Sequence, residues 1–432
     1  MGEIHTGAIE MKIELISTGN EVLYGEVADT NSAWIASRLA EEGYRVQRVS
    51  TVGDHLDSLV DLFQERSKYA DVVLVNGGLG PTEDDMTSEA ASQASGRKRV
   101  VFQDWVAVLK ERYRERNMPL SNLKQANLPK GAQILDNPRG TACGFSLHIG
   151  SALFFFTPGV PYEMKKMLDE VILPEIIRTF PVTHPPIMKR LFTFGLSESR
   201  VGEFVSQHEV PGVSIGFRAS FPLIEVKVQG SQEKLNRVVP RIRQSLSEFI
   251  FCEDRGDAAA TIQQLMLERK KKLILSESCT GGLLASWLVA IPGSSGYFEG
   301  SLVTYSNQMK QEMLNVSEDL IEQAGAVSEE VVAMMGKGAL LHSSADISIA
   351  VSGIAGPEGG TEAKPVGTVA FSLVTDDHIY TQLLRFPPWG RGRIRHGSAM
   401  ICLDMLRRYL TKASIFADYD YAARLSCREQ SR

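Results

Sequence analysis

Apolar and polar positions alternate in blocks along the first 180 residues. Residues 12–17 (Lys-Ile-Glu-Leu-Ile-Ser) read as a strand, and 30–40 carry apolar positions at helical spacing. A second strand follows at 44–52 and a second helix at 57–67. Residues 71–75 (Asp-Val-Val-Leu-Val) end in an unbroken apolar run, as in a parallel strand covered on both faces. This β-α-β-α-β order predicts a doubly wound α/β domain. Residues 98–118 predict a charged helix, 152–156 a buried strand and 163–173 a helix. Prolines at 174, 181, 185 and 186 predict a boundary. Strands at 191–194, 213–217 and 224–229, with helices at 199–207 and 233–249, then predict a small α+β connector. Arg255-Gly-Asp257 is the expected hinge after it.

The last block returns to α/β alternation. It has a helix at 258–269, a strand at 273–275 and a helix at 283–289. A strand at 300–307, a helix capped by Ser328, and strands at 346–351 and 369–374 follow. Arg391, Arg393 and Arg395 open a final helix reaching Tyr409, and no clear pattern follows Lys412. The expectation is an α/β, multidomain chain: a first domain at 1–180, a connector at 181–256, a third domain at 257–412 and a tail at 413–432.

Composition narrows the function classes. Of 432 residues, 43% are hydrophobic and 23% charged, which suits a globular protein with real cores. A net charge of −6 argues against a nucleic-acid partner. No apolar run has the length of a membrane span, and the first eleven residues lack the apolar core of a secretory signal. Cysteines 143, 252, 279, 402 and 427 are scattered, with no CxxC pair. They predict reduced thiols in a cytoplasmic protein, without disulfides or zinc.

Two stretches carry candidate chemistry. The first is Ser276-Glu-Ser-Cys-Thr-Gly-Gly282, between an apolar strand and an apolar helix. Unpaired amides at such a turn can hold an anion or a developing oxyanion, and Ser278, Cys279 and Thr280 are all possible nucleophiles. None is reactive unaided, so a base must come from elsewhere. A simple helix cap with tight-turn glycines is the plainer alternative. The second stretch, Asn76-Gly-Gly-Leu-Gly-Pro-Thr-Glu-Asp-Asp85, lies at the carboxyl end of a strand, where open α/β sheets bind ligands. Gly77, Gly78 and Gly80 let backbone approach a phosphate beside Pro81 and Thr82, and Asp84 and Asp85 offer hard oxygens to a divalent metal. A second such loop, Thr157-Pro-Gly-Val-Pro161, brings Gly159.

Taken together, these motifs resemble the CinA family (competence/damage-inducible protein A) over about residues 12–410. The first domain's Gly77–Asp85 and Thr157–Pro161 motifs resemble molybdopterin-binding domains of the MogA and MoeA type. The last domain's Glu277–Gly282, Val303–Asn307, Gly325–Ser328, Ser352–Pro357 and Lys364–Thr368 motifs resemble nicotinamide-nucleotide amidohydrolases. The resemblance implies hydrolysis of nicotinamide mononucleotide by Ser278, Lys310 and Tyr305, with no cofactor. It places Cys279, Thr280, Gly281, Gly282, Ser352, Gly353, Gly356 and Arg391 around the oxyanion and substrate. Amides near Thr280 and Gly281 would hold the oxyanion. For the first domain it implies cleavage of ADP-ribose with a divalent metal (Mg, Mn or Co) at Asp84, Asp85 and Glu21. Two departures stand out: Trp389-Gly-Arg391 where the family often has Gly-Asp-Arg, and Gly19-Asn-Glu21 where it often has Gly-Asp-Glu. A homodimer through the connector is expected. The alternative is a nucleotide- or pterin-binding sensor without turnover.

Overall fold

A computed structural model describes residues 11–114, 117–182, 187–254 and 256–431. The leader at 1–10, the prolines at 185 and 186, and Arg255 lie outside the described residues. Among the described residues no helix is long and apolar enough to cross a membrane. The chain divides into two compact units, Met1–Ile187 and Met188–Arg432.

The first unit is built on a six-stranded sheet in the order Val46–Val52, Ile13–Thr18, Val72–Asn76, Ala152–Thr157, Gly144–Ile149, Gln133–Leu135. The first four strands are mutually parallel and the last two antiparallel. Alternate side chains serve opposite cores, because successive strand residues point to opposite faces. Ile13, Leu15, Val72, Leu74, Leu153 and Phe155 pack against helices Thr30–Glu41, Pro161–Met167 and Leu173–Thr179. Ile16, Val73, Val75, Phe154 and Phe156 face the other side, with helices Leu56–Arg66, Thr87–Ala94 and Gln103–Arg112. The expected doubly wound domain is present.

Several local expectations are corrected. Residues 98–118 are not one helix: the strand Arg99–Val101 pairs with Asn127–Pro129, and the helix spans Gln103–Arg112. Residues 18–25, glycine-bearing and loop-like in sequence, contain a short helix, Asn20–Leu23. The helix expected at 233–249 ends at Ser245, and the strand Ile250–Glu253 follows. The strand expected at 300–307 is Phe298–Val303, and a helix Asn307–Leu314 starts where it was expected to end.

The second unit holds two sheets. The connector sheet is ordered Val213–Ser220, Leu223–Gly230, Ile187–Thr193, Ile250–Glu253. The larger is ordered Phe298–Val303, Leu273–Glu277, Ile347–Gly353, Thr368–Val374, His378–Arg385, Ala423–Ser431. Its first three strands are parallel and the rest antiparallel. The residues after Lys412 are therefore not patternless, because Ala423–Ser431 closes one edge of this sheet. Its exposed polar side chains hide the strand period from a hydrophobicity reading. Phe192, Phe194, Leu223 and Phe251 of the connector share one core with Leu275, Val351, Phe371 and the helix Arg391–Thr411. Arg407 and Arg408 donate to the Glu248 carbonyl and pair with buried Asp404, tying connector and last helix together.

Candidate functional site

In the second unit the three parallel strands end in register, with Glu277 beside both Val303 and Val351. The turn after Glu277 therefore opens at the carboxyl end of the sheet, where α/β folds place ligands. Gly281 (φ 59°) and Gly282 (φ 85°) carry it through left-handed backbone into the helix Leu283–Val289. Ser278 is only 7% exposed, and its amide donates to the Val351 carbonyl at 3.0 Å. The Gly281 amide donates to the Ser278 carbonyl at 3.0 Å, so it is committed inside the turn and is not free for an oxyanion. None of the turn's hydrogen bonds among the described residues uses the amides of Cys279 or Thr280.

Two side chains lock this turn, and the sequence motifs did not single out either role. The buried Glu277 carboxylate accepts from the Leu284 and Ala285 amides at 3.1 and 2.9 Å and from Ser301 Oγ at 3.1 Å. It thereby satisfies the start of the next helix. Arg395 donates to the carbonyls of Cys279 (3.2 Å) and Thr280 (2.6 Å). An acid ending an apolar strand, and an arginine one turn after Arg391, were the available signals.

Lys310 is the side chain that reaches Ser278. It lies in the first turn of the helix Asn307–Leu314, which is capped by the Ser306 hydroxyl. The side chain is 1% exposed, and Nζ lies 3.1 Å from Ser278 Oγ. It also donates to the carbonyls of Thr304 (3.0 Å), Tyr305 (3.3 Å) and Ser306 (3.5 Å). Among the described residues no carboxylate pairs with it. Burial pushes its pKa below the ordinary 10.5. The arrangement sets a buried amine, whose charged form burial disfavours, within hydrogen-bond reach of a serine hydroxyl.

The remaining residues of this motif set divide. Tyr305 is 60% exposed and its hydroxyl accepts from Arg391 at 2.9 Å; its contact with Lys310 runs through its carbonyl. Arg391 also donates to the Gly356 carbonyl at 2.9 Å. Cys279 packs in the core, where burial pushes its thiol up to about 12. It is no thiolate nucleophile. Ser352 is buried and donates to the Ala326 carbonyl at 2.7 Å. At Gly353 a Cβ would come within 2.7 Å of Val369 and 3.1 Å of Cys279 Sγ, so that glycine permits packing behind the turn. The Oγ1 atoms of Thr280 and Thr304 are buried without a partner among the described residues.

The first unit has its own cleft, of about 390 Å³. Gly77, Gly78, Gly80, Pro81, Asp84, Asp85, Glu21 and Gly159 all line it; Thr82 does not. Gly77 is required by close approach, because a Cβ there would lie 2.6 Å from the Thr18 carbonyl oxygen. The Asp85 carboxylate accepts from both the amide and the hydroxyl of Thr82, so it is partly engaged by its own loop. Asp54, which the motifs did not include, also lines the cleft. Burial and the nearby charges of Glu21, Asp84 and Asp85 raise its pKa above the usual carboxylate value, partly offset by the Asn20 amide. Its signal was position: it follows the second parallel strand as the glycine loop follows the third. The expected metal set of Asp84, Asp85 and Glu21 does not form a cage. Among the described residues no three histidine, cysteine or carboxylate side chains converge to hold an ion.

Comparison with known proteins agrees with this architecture. The model of the CinA C-terminal domain matches residues 256–410, and that of the probable molybdopterin binding domain matches residues 14–178. A CinA-like protein of Shewanella sp. (strain ANA-3) is 45% identical over 423 residues, covering 96% of this chain and 100% of its own. A Shewanella oneidensis protein named nicotinamide-nucleotide amidohydrolase PncC has the same identity and coverage. The crystal structure of a CinA protein of unknown function from Thermoplasma acidophilum is 34% identical, spanning 38% of this chain and 96% of its own at a TM-score of 0.36. With full-length relatives at this identity, the chain belongs to the CinA family.

Proposed function

We propose that the second unit hydrolyses the carboxamide of nicotinamide mononucleotide to the carboxylate and ammonia. The observation that carries this reading is the buried Lys310 Nζ at 3.1 Å from Ser278 Oγ. The name of the Shewanella oneidensis relative supports the choice of substrate. Neutral Lys310 takes the hydroxyl proton as Ser278 Oγ attacks the carboxamide carbon. The tetrahedral oxyanion is held by the turn amides of Cys279 and Thr280, which have no backbone acceptor among the described residues. Lys310 then passes its proton to the departing nitrogen, the C–N bond breaks and ammonia leaves. Water, deprotonated by Lys310, opens the acyl-serine, and the proton returns to Ser278. Arg391, exposed and held by Tyr305, is the cation for the substrate phosphate. Tyr305 acts in this scheme by placing Arg391, and its carbonyl helps hold Lys310.

For the first unit the reading is binding and metal-dependent cleavage of ADP-ribose in the cleft of Gly77 and Asp54. The repulsion at Asp54 is what a bound divalent ion would relieve, and such an ion would draw most of its ligands from phosphate and water. The test for the first unit is a thermal-shift titration with Mg, Mn and Co, with and without ADP-ribose, beside phosphate-coupled turnover. No shift and no turnover would leave a cleft without this function. For the second unit the test is ammonia release from nicotinamide mononucleotide by the wild type and by Ser278→Ala. No wild-type turnover at millimolar substrate would sink the amidase and favour the sensor reading.

A further inference from the structure

The last helix, Arg391–Thr411, reaches back to the nucleophile turn through one side chain. Arg395 donates from Nε to the Cys279 carbonyl at 3.2 Å and from Nη2 to the Thr280 carbonyl at 2.6 Å. The two bonds come from one rigid guanidinium fork onto consecutive peptide groups. In a trans peptide the C=O and the following N–H point in opposite directions. Fixing the Cys279 carbonyl on Arg395 therefore fixes the Thr280 N–H on the opposite side. Fixing the Thr280 carbonyl likewise aims the Gly281 N–H, which closes the turn on the Ser278 carbonyl. The Thr280 N–H is left without a protein acceptor among the described residues.

We propose that Arg395 is a positioning residue for the amidase, aiming and polarising the Thr280 amide as an oxyanion donor. The proposal rests on the Ser278 reading above. A charge-assisted bond to the carbonyl draws electron density from the peptide, so the N–H on its far end becomes a stronger donor. Arg395 itself touches no reacting atom. Its bonds are to carbonyls one and two residues past the nucleophile, both within the nucleophile turn itself. Glu277 anchors the same turn from the other side, through the amides of Leu284 and Ala285, so the turn is fixed at both ends.

The test compares Arg395→Met and Arg395→Lys with wild type in nicotinamide mononucleotide hydrolysis, together with the rate at which a fluorophosphonate labels Ser278. The phosphonyl oxygen occupies the oxyanion position, so labelling reports that position without the natural substrate. Removing an oxyanion donor typically lowers kcat on the order of 100- to 1000-fold. Loss of aim should fall somewhat short of that, so Arg395→Met is expected to lose roughly 30- to 300-fold in kcat and in labelling, with KM within about threefold. Arg395→Lys, which keeps the charge but cannot span both carbonyls, is expected between the two. Methylguanidine added to Arg395→Ala is expected to restore part of the rate. A kcat within about threefold of wild type in both Arg395→Met and Arg395→Lys would overturn the proposal, as would a rise in KM alone. If Arg395→Met does not fold, the split between kcat and KM in Arg395→Lys decides. Failure of the wild type both to release ammonia and to be labelled would instead overturn the Ser278 reading on which the proposal rests.

Discussion

Replacing Lys310 by methionine separates its chemical role from its structural one. The volume is nearly kept, so packing around this buried side chain changes little. Two stability terms then oppose each other. The buried carbonyl of Thr304 loses a donor, a loss of about 1–3 kcal/mol. The exposed Tyr305 can turn to water for its own. Against this, a buried amine with no carboxylate partner is removed, which stabilises. The net change is expected within about 2 kcal/mol, and each kcal/mol moves Tm by about 2–4 °C in a unit of this size. Catalysis has no such compensation, because general-base assistance contributes on the order of 100- to 10,000-fold. The variant should therefore fold and melt near wild type while losing at least 100-fold in kcat. The pH dependence carries a sign of its own. A lysine with a folded pKa below 10.5 binds fewer protons folded than unfolded, between the lowered value and 10.5. Wild-type stability relative to Lys310→Met should rise through that window as pH increases, and be lowest below it. Activity should rise along the same limb, since only the neutral amine accepts a proton. Ammonia release from pH 5 to 10, paired with melting curves, measures both. A variant retaining activity within tenfold, with a flat wild-type profile, would refute the assignment of Lys310 as base.

Ser278→Ala should abolish ammonia release, whereas Cys279→Ala should keep kcat within about fivefold and lose about 1–2 kcal/mol of stability, read as a lowered urea midpoint. Glu277→Ala strips an acceptor from two amides and Ser301, and should cost about 2–4 kcal/mol in denaturant titration. Gly338→Ala places a Cβ 2.2 Å from the Leu314 carbonyl oxygen, at the end of the helix that carries Lys310. It should lower both Tm, by about 1–3 kcal/mol equivalent, and kcat. In the first unit, Asp54 has its pKa raised on folding, so its ionised form is disfavoured and the stability it allows falls as pH rises above 3.8. Asp54→Asn should then melt higher than wild type at pH 7 in chelator, and lose any stabilisation by divalent ions.

The sequence carried the architecture where burial leaves a periodic mark. Val72–Asn76 and Ala152–Thr157 are apolar on both faces because helices cover both faces, and that is legible without coordinates. The turn at Ser278 was legible for the same reason, as small residues between two apolar runs. Edge elements left no such mark: Ala423–Ser431 is mostly exposed, and its hydrogen bonds to His378–Arg385 are made by backbone that carries no side-chain signature. Local sequence could nominate Ser278 as one of three nucleophiles, and only the family resemblance pointed to Lys310, 32 positions away. Only the parallel pairing of Leu273–Glu277 with Phe298–Val303 brings their ends together, and only burial lowers the pKa of the amine. Arg395 and Asp54 belong to the same class. Each is an ordinary charged residue in the chain, and its partners come from strands and turns far away in sequence. Which charges meet, and how much water is left around them, is decided by the packed tertiary structure, because electrostatic strength depends on distance and surrounding dielectric.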